Sequence, residues 1–413
     1  MRLYIVNATE LIPVAQKHYR ILDFVPVELK VAINVMGASP TAKKILIKNI
    51  NGVEDFSYAV LFDKAIHTAL SPCPGLRTMN TNSAQNVLRV VNELASQGPK
   101  YLKLMENFEP GIIILLLNLY PNLLARKSVQ ARKDIVEAFH RYFESGSHKQ
   151  GSALVQAHYQ HKVDQGAAGK DIAILEVGKI VGMLSNTIPA AFWVLYHAIS
   201  DPAVLQECRQ EVLACCTVEH DVVTLDVSQI QGSNSILTSI FKEVLRYHGI
   251  GTSIRVVTQD HLLDGTYLLK KGGIVMIHGA VQHTSIPAYG ENVHDFQHNR
   301  FVRSPGVKRP SPVAFRGFGG GSTLCPGRHF ASTEVLAFVA LMITRFDFKP
   351  TEGSWITPKT DNAGAHGTVA PPDTDVQVRI SPGVSELAEK KWLVVVSEIV
   401  EDVQLSVEDM SLA

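Results

Sequence analysis

Apolar residues recur every three to four positions through most of this chain and alternate with polar ones only in a few short runs. The longest helical pattern covers 171–200, is uncharged from Ile180 to Ile199, and stops at Asp201-Pro202, where proline in a first turn opens another helix. Amphipathic helices follow at 203–215 and 235–247, an apolar one is expected at 330–343, and 82–94 keeps the same period through Val87, Leu88, Val91 and Leu94. Between 100 and 145 two or three helices alternate with short breaks. Residues 1–48 read as a short strand pair and then amphipathic helix, with a turn at Gly37–Pro40, and Ser71–Gly75 reads as a loop. Strand alternation marks 253–258 and 266–277 around the turn Asp264-Gly265, and 376–380 as a closing strand. The pattern predicts a mainly α protein with small peripheral β-sheets.

Composition narrows the class. The chain has 413 residues, 46% hydrophobic and 19% charged, enough for one large core. Lys plus Arg and Asp plus Glu number 39 each, and that balance argues against nucleic acid as a general partner. Five cysteines without a CxxC pair form neither a disulfide framework nor a zinc ribbon, and fit a reducing compartment. No signal peptide or N-terminal anchor is read in 1–16. The run 111–124 is too short to span a bilayer, and 180–199 carries Ser185, Asn186, Thr187, Pro189 and His197, a load that suits a buried central helix better than lipid. His158-x-x-His161 and His294-x-x-x-His298 lack a third ligand at metal spacing and read as solvent-exposed histidines.

The chemistry concentrates in Phe315-Arg-Gly-Phe-Gly-Gly-Gly-Ser-Thr-Leu-Cys-Pro-Gly-Arg328. Three consecutive glycines allow a tight turn and close approach to a flat ligand. Cys325 follows, ahead of a helix whose first residue is read as Pro326. Unpaired N–H groups and the positive dipole end there favour thiolate. A phosphate cradle is the competing reading, although the Gly-Lys-Ser/Thr ending is missing; a buried structural thiol or a hydrolase nucleophile is the other.

With its letters, the stretch resembles the haem-binding loop of the cytochromes P-450, whose pattern Phe318, Gly321, Cys325 and Gly327 fill. The resemblance implies a haem b cofactor held by the Cys325 thiolate. Glu243-Val-Leu-Arg246 resembles the family's Glu-x-x-Arg, and Phe296-Gln-His-Asn-Arg300-Phe301 supplies its third member, Arg300. The implied role is a buried charge network behind the loop. Pro189 frees the Ser185 carbonyl and opens a polar notch beside Thr187, in the helix that crosses the oxygen face in this family. Thr187 matches the family's proton-relay alcohol, while Asn186 replaces the acid. Arg255 matches a propionate-binding position, and Thr323 stands where the family commonly has an arginine. Asn186-Thr-Ile-Pro-Ala-Ala-Phe-Trp looks like fungal relatives of the branch with cholesterol 7α-hydroxylase, sterol 12α-hydroxylase and prostacyclin synthase.

The match runs through 178–380. Before it the N-terminal part looks shortened: no Trp-x-x-x-Arg helix is found, and 82–109 is abbreviated. The expected organisation is one haem-thiolate domain, 1–382, with a loosely ordered extension, 383–413, in which 392–396 is a strand or a partner-binding segment. The implied function is haem-dependent oxidation of a hydrophobic secondary metabolite, terpenoid, sterol or lipid, with O₂ and NADPH-cytochrome P-450 reductase. The alternatives are a redox-independent isomerase or dehydratase, and an impaired haem-binding remnant. Loops 250–254 and 363–369, with His366 their only titratable group, are expected at the substrate pocket. Arg303, Lys308, Arg309 and Arg328 either face an acidic reductase or form a solvated basic face. Family membership implies the cytosolic face of the endoplasmic reticulum; without an anchor, a soluble or peripheral protein is the other expectation.

Overall fold

The computed structural model describes residues 2–48, 57–72, 74–93, 107–232, 235–303, 310–364, 367–383, 387 and 390–397. Cys73, Lys308, Arg309 and His366 lie outside them. The architecture is mainly helical with four small sheets, as the apolar period predicts. Three long helices build the centre: a central helix, Val177–Ile199, the helix Ile236–Tyr247, and the helix Arg328–Arg345 that follows the cysteine loop. Trp193, Val194, Ile240, Val244, Val339 and Leu341 are wholly buried in the cluster they share. Each such side chain contributes about 1.5–3 kcal/mol through burial. The helix Pro74–Glu93 packs along the post-cysteine helix. A second core joins the helix Arg126–Glu144 to the start of the central helix.

Helix ends follow local chemistry. The Ser235 hydroxyl accepts from Thr238 N (3.0 Å), and the Asp201 carboxylate accepts from Ala203 N (2.8 Å) ahead of Pro202–Ala214. Ser39 caps Pro40–Ile47 after Gly37, whose φ of +80° is the predicted turn. Several boundaries differ from expectation. The pattern 171–200 breaks into Lys170–Ile174 and the central helix. The helix expected at 82–94 starts at Pro74, because proline is tolerated in a first turn, so the expected loop ends sooner. The post-cysteine helix starts at Arg328, leaving Pro326 in the loop.

The first sheet has the order β1-β8-β5-β2, with strands β1 Leu3–Ile5, β2 Leu22–Asp23, β5 Thr252–Val257 and β8 Ile274–His278. The two N-terminal strands are therefore not a pair: β1 runs parallel to β8, and β2 antiparallel to β5. The span 266–277 is two strands, β7 Tyr267–Leu269 and β8, because Gly272 at φ +77° turns the chain between them. Asp264 and Gly265, at φ +51° and +64°, make the hairpin turn between β6 His261–Leu263 and β7. Strand β10, Val378–Pro382, closes antiparallel on β9, Phe346–Pro350.

The chain after 383 adds β11, Lys391–Val395, parallel to β4, Val222–Asp226, which pairs on its other side with β3, Cys216–Glu219. Trp392 and Val394 enter the main core. Of the two readings of 392–396, the strand is the one observed, and this part of the extension is docked rather than loose.

Candidate active site

The cysteine loop is closed by its own backbone. Cys325 N donates to Phe318 O (2.9 Å), and Leu324 N to Gly321 O (3.0 Å). Gly319 and Gly321 sit at φ +82° and +60°, where a side chain is strained, and a Cβ on Gly320 would overlap the Arg316 guanidinium. This loop forms the floor of a cavity of about 330 Å³. The central helix forms the opposite wall with Gly182, Asn186, Thr187 and Ala190; Ile254, Arg255, Arg316 and Val369 also face in.

Cys325 is the thiol in this lining. Burial raises its pKa above the ordinary thiol value, and the Gly327 N–H and the Arg328 charge counter this only in part. The expectation that loop and helix end alone make an anionic sulfur is therefore corrected: desolvation outweighs them, and a coordinated cation has to supply the rest.

Behind the loop, Glu243 is completely buried. Its Oε1 accepts from Arg246 Nη2 (2.7 Å), Arg300 Nε (3.0 Å) and Gln297 N (3.0 Å), and its Oε2 from Arg246 Nε (2.7 Å). The remaining guanidinium protons also have partners. Arg246 donates to the carbonyls of His283, Val293 and Asp295, and Arg300 to those of Tyr289, Asn292 and Asp295 and to Asn292 Oδ1. The three residues that the spacing singled out form one saturated network.

The cavity face differs. Arg255, 7% exposed, donates to Ser253 Oγ (2.9 Å), Ile254 O (2.8 Å) and Thr323 Oγ1. Among the described residues no carboxylate bonds it, although Asp23 and Glu28 lie in its field. Burial first, then Arg316, push its pKa down to about 10. Thr323, in place of an arginine, thus orients Arg255. Arg316 is the second cation on this wall and was not singled out from the sequence, where it reads as one more loop arginine. The Gln16 amide, packed against Gly321, has both polar atoms buried without a hydrogen-bond partner.

On the central helix the Asn186 amide is engaged. Asn186 Oδ1 accepts from Thr368 N (2.7 Å) and Oγ1 (2.8 Å), and its Nδ2 donates to Gly182 O (3.2 Å). Trp193 Nε1 donates to Ala370 O (2.8 Å), and Ile250 N to Thr368 O (2.9 Å), so the described parts of both expected pocket loops are stitched to this wall. Thr252, Ser253 and Thr368 make that wall more polar than expected. Ser185 Oγ donates to Glu109. Among the described residues no hydrogen bond engages the Thr187 hydroxyl, which lines the cavity. His158 and His161, read as exposed, are buried, His158 beside the Glu176 carboxylate.

A cavity with one thiol on its floor, two guanidiniums at its edge, and apolar side chains above suits a flat macrocycle with two carboxylates. Sequence comparison gives the class. The cytochrome P450 family profile matches residues 75–377, and the chain belongs to that family of haem-thiolate monooxygenases, which act on small molecules and bind haem b through a cysteine thiolate. It is similar to cytochrome P450 monooxygenase nodJ of Hypoxylon pulicicidum, 29% identical over 95% of this chain and 83% of that protein. It also resembles a cytochrome P450 monooxygenase of Gibberella zeae, at 27% over 60% of this chain and 49% of the relative. Cytochrome P450 7A1 of Sus scrofa is 30% identical over 47% of this chain and 42% of its own length. The matched parts thus span most of the first relative and about half or less of the other two.

Proposed function

We propose that this chain oxidises a C–H bond of a largely apolar small molecule of sterol or terpenoid type, taking electrons from NADPH-cytochrome P450 reductase. One observation carries the reading: Cys325 and the unbonded Thr187 hydroxyl line the same cavity, on opposite walls. Haem, when bound, supplies reductive activation of O₂ and insertion of one oxygen atom into substrate. Cys325 would hold the haem iron in this reading, Phe318 lies in the same loop, and Gly321 and Gly327 give the loop its path. Arg255 and Arg316 hold the propionates, with Thr323 fixing the Arg255 guanidinium. Thr187 would donate a hydrogen bond into the cavity and hand on a proton from its hydroxyl. Asn186 has both ends of its amide engaged and acts as a positioning residue. Glu243, Arg246 and Arg300 keep the loop rigid.

The substrate class rests on Phe24, Ala190, Leu245, Ile254 and Val369 around the cavity, and on the relatives' names, one of which is cholesterol 7-alpha-monooxygenase of Cricetulus griseus. Residues 1–382 continue as one domain, with β11 docked on it. Arg303 and Arg328 are offered to the reductase. Among the described residues one helical stretch, Lys170–Ile199, is long and apolar enough to cross a membrane, but it is the central helix of the core. The cytosolic face of the endoplasmic reticulum is assigned on the family resemblance.

The test is NADPH- and reductase-dependent turnover of a sterol and terpenoid panel. Oxygenated product in step with NADPH consumption is expected. Isomerised product without NADPH consumption overturns the monooxygenase assignment.

A further inference from the structure

A second cavity, about 430 Å³, lies on the neighbouring faces of the same two helices. Gly182 and Asn186 of the central helix face the cysteine cavity, whereas Lys179 and Met183 face this one. Ala331 and Val335 of the post-cysteine helix face the first, whereas Phe330, Glu334 and Phe338 face the second. No residue lines both. Its walls are apolar: Met79, Val87, Leu154, Met183, Phe330 and Phe338.

One end is charged in an unusual way. Glu176, 2% exposed, bonds two ammonium groups, Lys162 Nζ at 2.6 Å and Lys179 Nζ at 2.7 Å. Among the described residues one carboxylate serves both lysines, and Lys179 is the member that reaches the cavity. Burial pushes its pKa down to about 6, so an anion bound beside it would favour its charged form. Glu334, on the opposite wall, accepts from Ser83 Oγ (3.2 Å), and burial raises its pKa.

We propose that this cavity is a binding site for a medium-chain aliphatic carboxylate, with the chain between Phe330, Phe338 and Met183 and the carboxylate on Lys179. The ligand gives Lys179 a second anionic partner beside Glu176, and it touches both helices that carry the cysteine cavity. It does not depend on the oxidation chemistry proposed above.

Calorimetric titration of the haem-loaded protein tests it, with dodecanoate, dodecan-1-ol and dodecyltrimethylammonium as probes. Each is added with and without a bulky azole that occupies the iron and fills the Cys325 cavity, its binding read from the haem spectrum. One equivalent of dodecanoate is expected to bind in the presence of azole, about tenfold or more tighter than the alcohol, as one buried charge-assisted contact implies. Lys179→Met should erase that preference, and Val90→Trp or Met183→Trp, at half-exposed rim positions, should block the site. Heat that vanishes with azole, survives both tryptophans, or favours the cation overturns the proposal. An absent azole spectrum would instead count against the haem-thiolate reading, while the calorimetric arm would still report on this cavity.

Discussion

Two groups of arginines surround one loop, and they differ in what completes them. Behind the cysteine, Arg246 and Arg300 share the buried Glu243, and their other protons go to backbone carbonyls and Asn292. In front, Arg255 meets hydroxyls, a carbonyl and the Phe24 ring, and among the described residues no carboxylate bonds it, while Arg316 is a like-charged neighbour. The first group is finished by folding. In the second, Arg255 keeps its charge, because arginine does not release its proton near neutral pH, and in the reading proposed above a haem propionate supplies the counter-charge. A scaffold and a ligand site are thus distinguished by where the counter-charge comes from.

That difference can be broken from either side. Glu243→Gln strands two buried cations and should destabilise the protein by about 3–5 kcal/mol, read as loss of cooperative unfolding or a large drop in denaturation midpoint. Arg255→Leu should leave the stability of the haem-free chain nearly unchanged, because it removes a charge without a carboxylate partner. Haem affinity should fall by about 1.5–3 kcal/mol, read as faster haem transfer to a scavenging globin. If Arg255→Leu instead unfolds the chain as Glu243→Gln does, the two groups are alike and the comparison fails.

Thr187→Ala is aimed at the opposite wall. It should leave folding and haem binding intact while product per NADPH falls several-fold and peroxide release rises. Unchanged coupling would remove Thr187 from the proton path. The smallest expected effect comes from groups that can discharge. His197 and His248 share an Nε2–Nε2 hydrogen bond of 3.0 Å, and burial pushes them to about 3 and about 2. Their folded values lie below the unfolded value of about 6.5, so the unfolded chain binds more protons, and their contribution to stability declines as pH falls from about 6.5 towards 3. Glu28, pushed up to about 7 by burial and then by Asp63 and Asp23, acts in the opposite sense. His248→Gln should therefore flatten the acid side of the stability profile by at most about 1.4 kcal/mol per pH unit, seen in urea unfolding at pH 7, 6 and 5.

What the sequence revealed follows the same division. The long helices were legible because their burial is periodic: Ala190 and Val194, Ile240 and Val244, or Val335 and Val339 recur four apart on faces that local spacing displays. Glu243, Arg246 and Arg300 were legible because their spacing resembles a family motif, and the structure joins them. Arg316 was missed, since nothing in its neighbours says that the fold brings it to the wall of the cysteine cavity beside Arg255. His158 and His161 were misread because their burial depends on Glu176, Lys162 and Tyr58, which come from three separate segments. Asn186 showed that the usual acid was absent, but its bond to Thr368 is a contact across 182 residues that no local pattern encodes. The protonation of Cys325 depended on burial, a tertiary quantity.

The central claim is that Cys325 alone on this floor ligates iron, inside a scaffold complete without it. The most direct measurement is the reduced-minus-reduced-CO spectrum of the wild-type protein beside Cys325→Ser, both reconstituted with haem and matched by circular dichroism. The account predicts a thiolate-type Soret band in the wild type and its loss in the folded serine variant. A thiolate band that survives in Cys325→Ser, or none in the wild type, would contradict it.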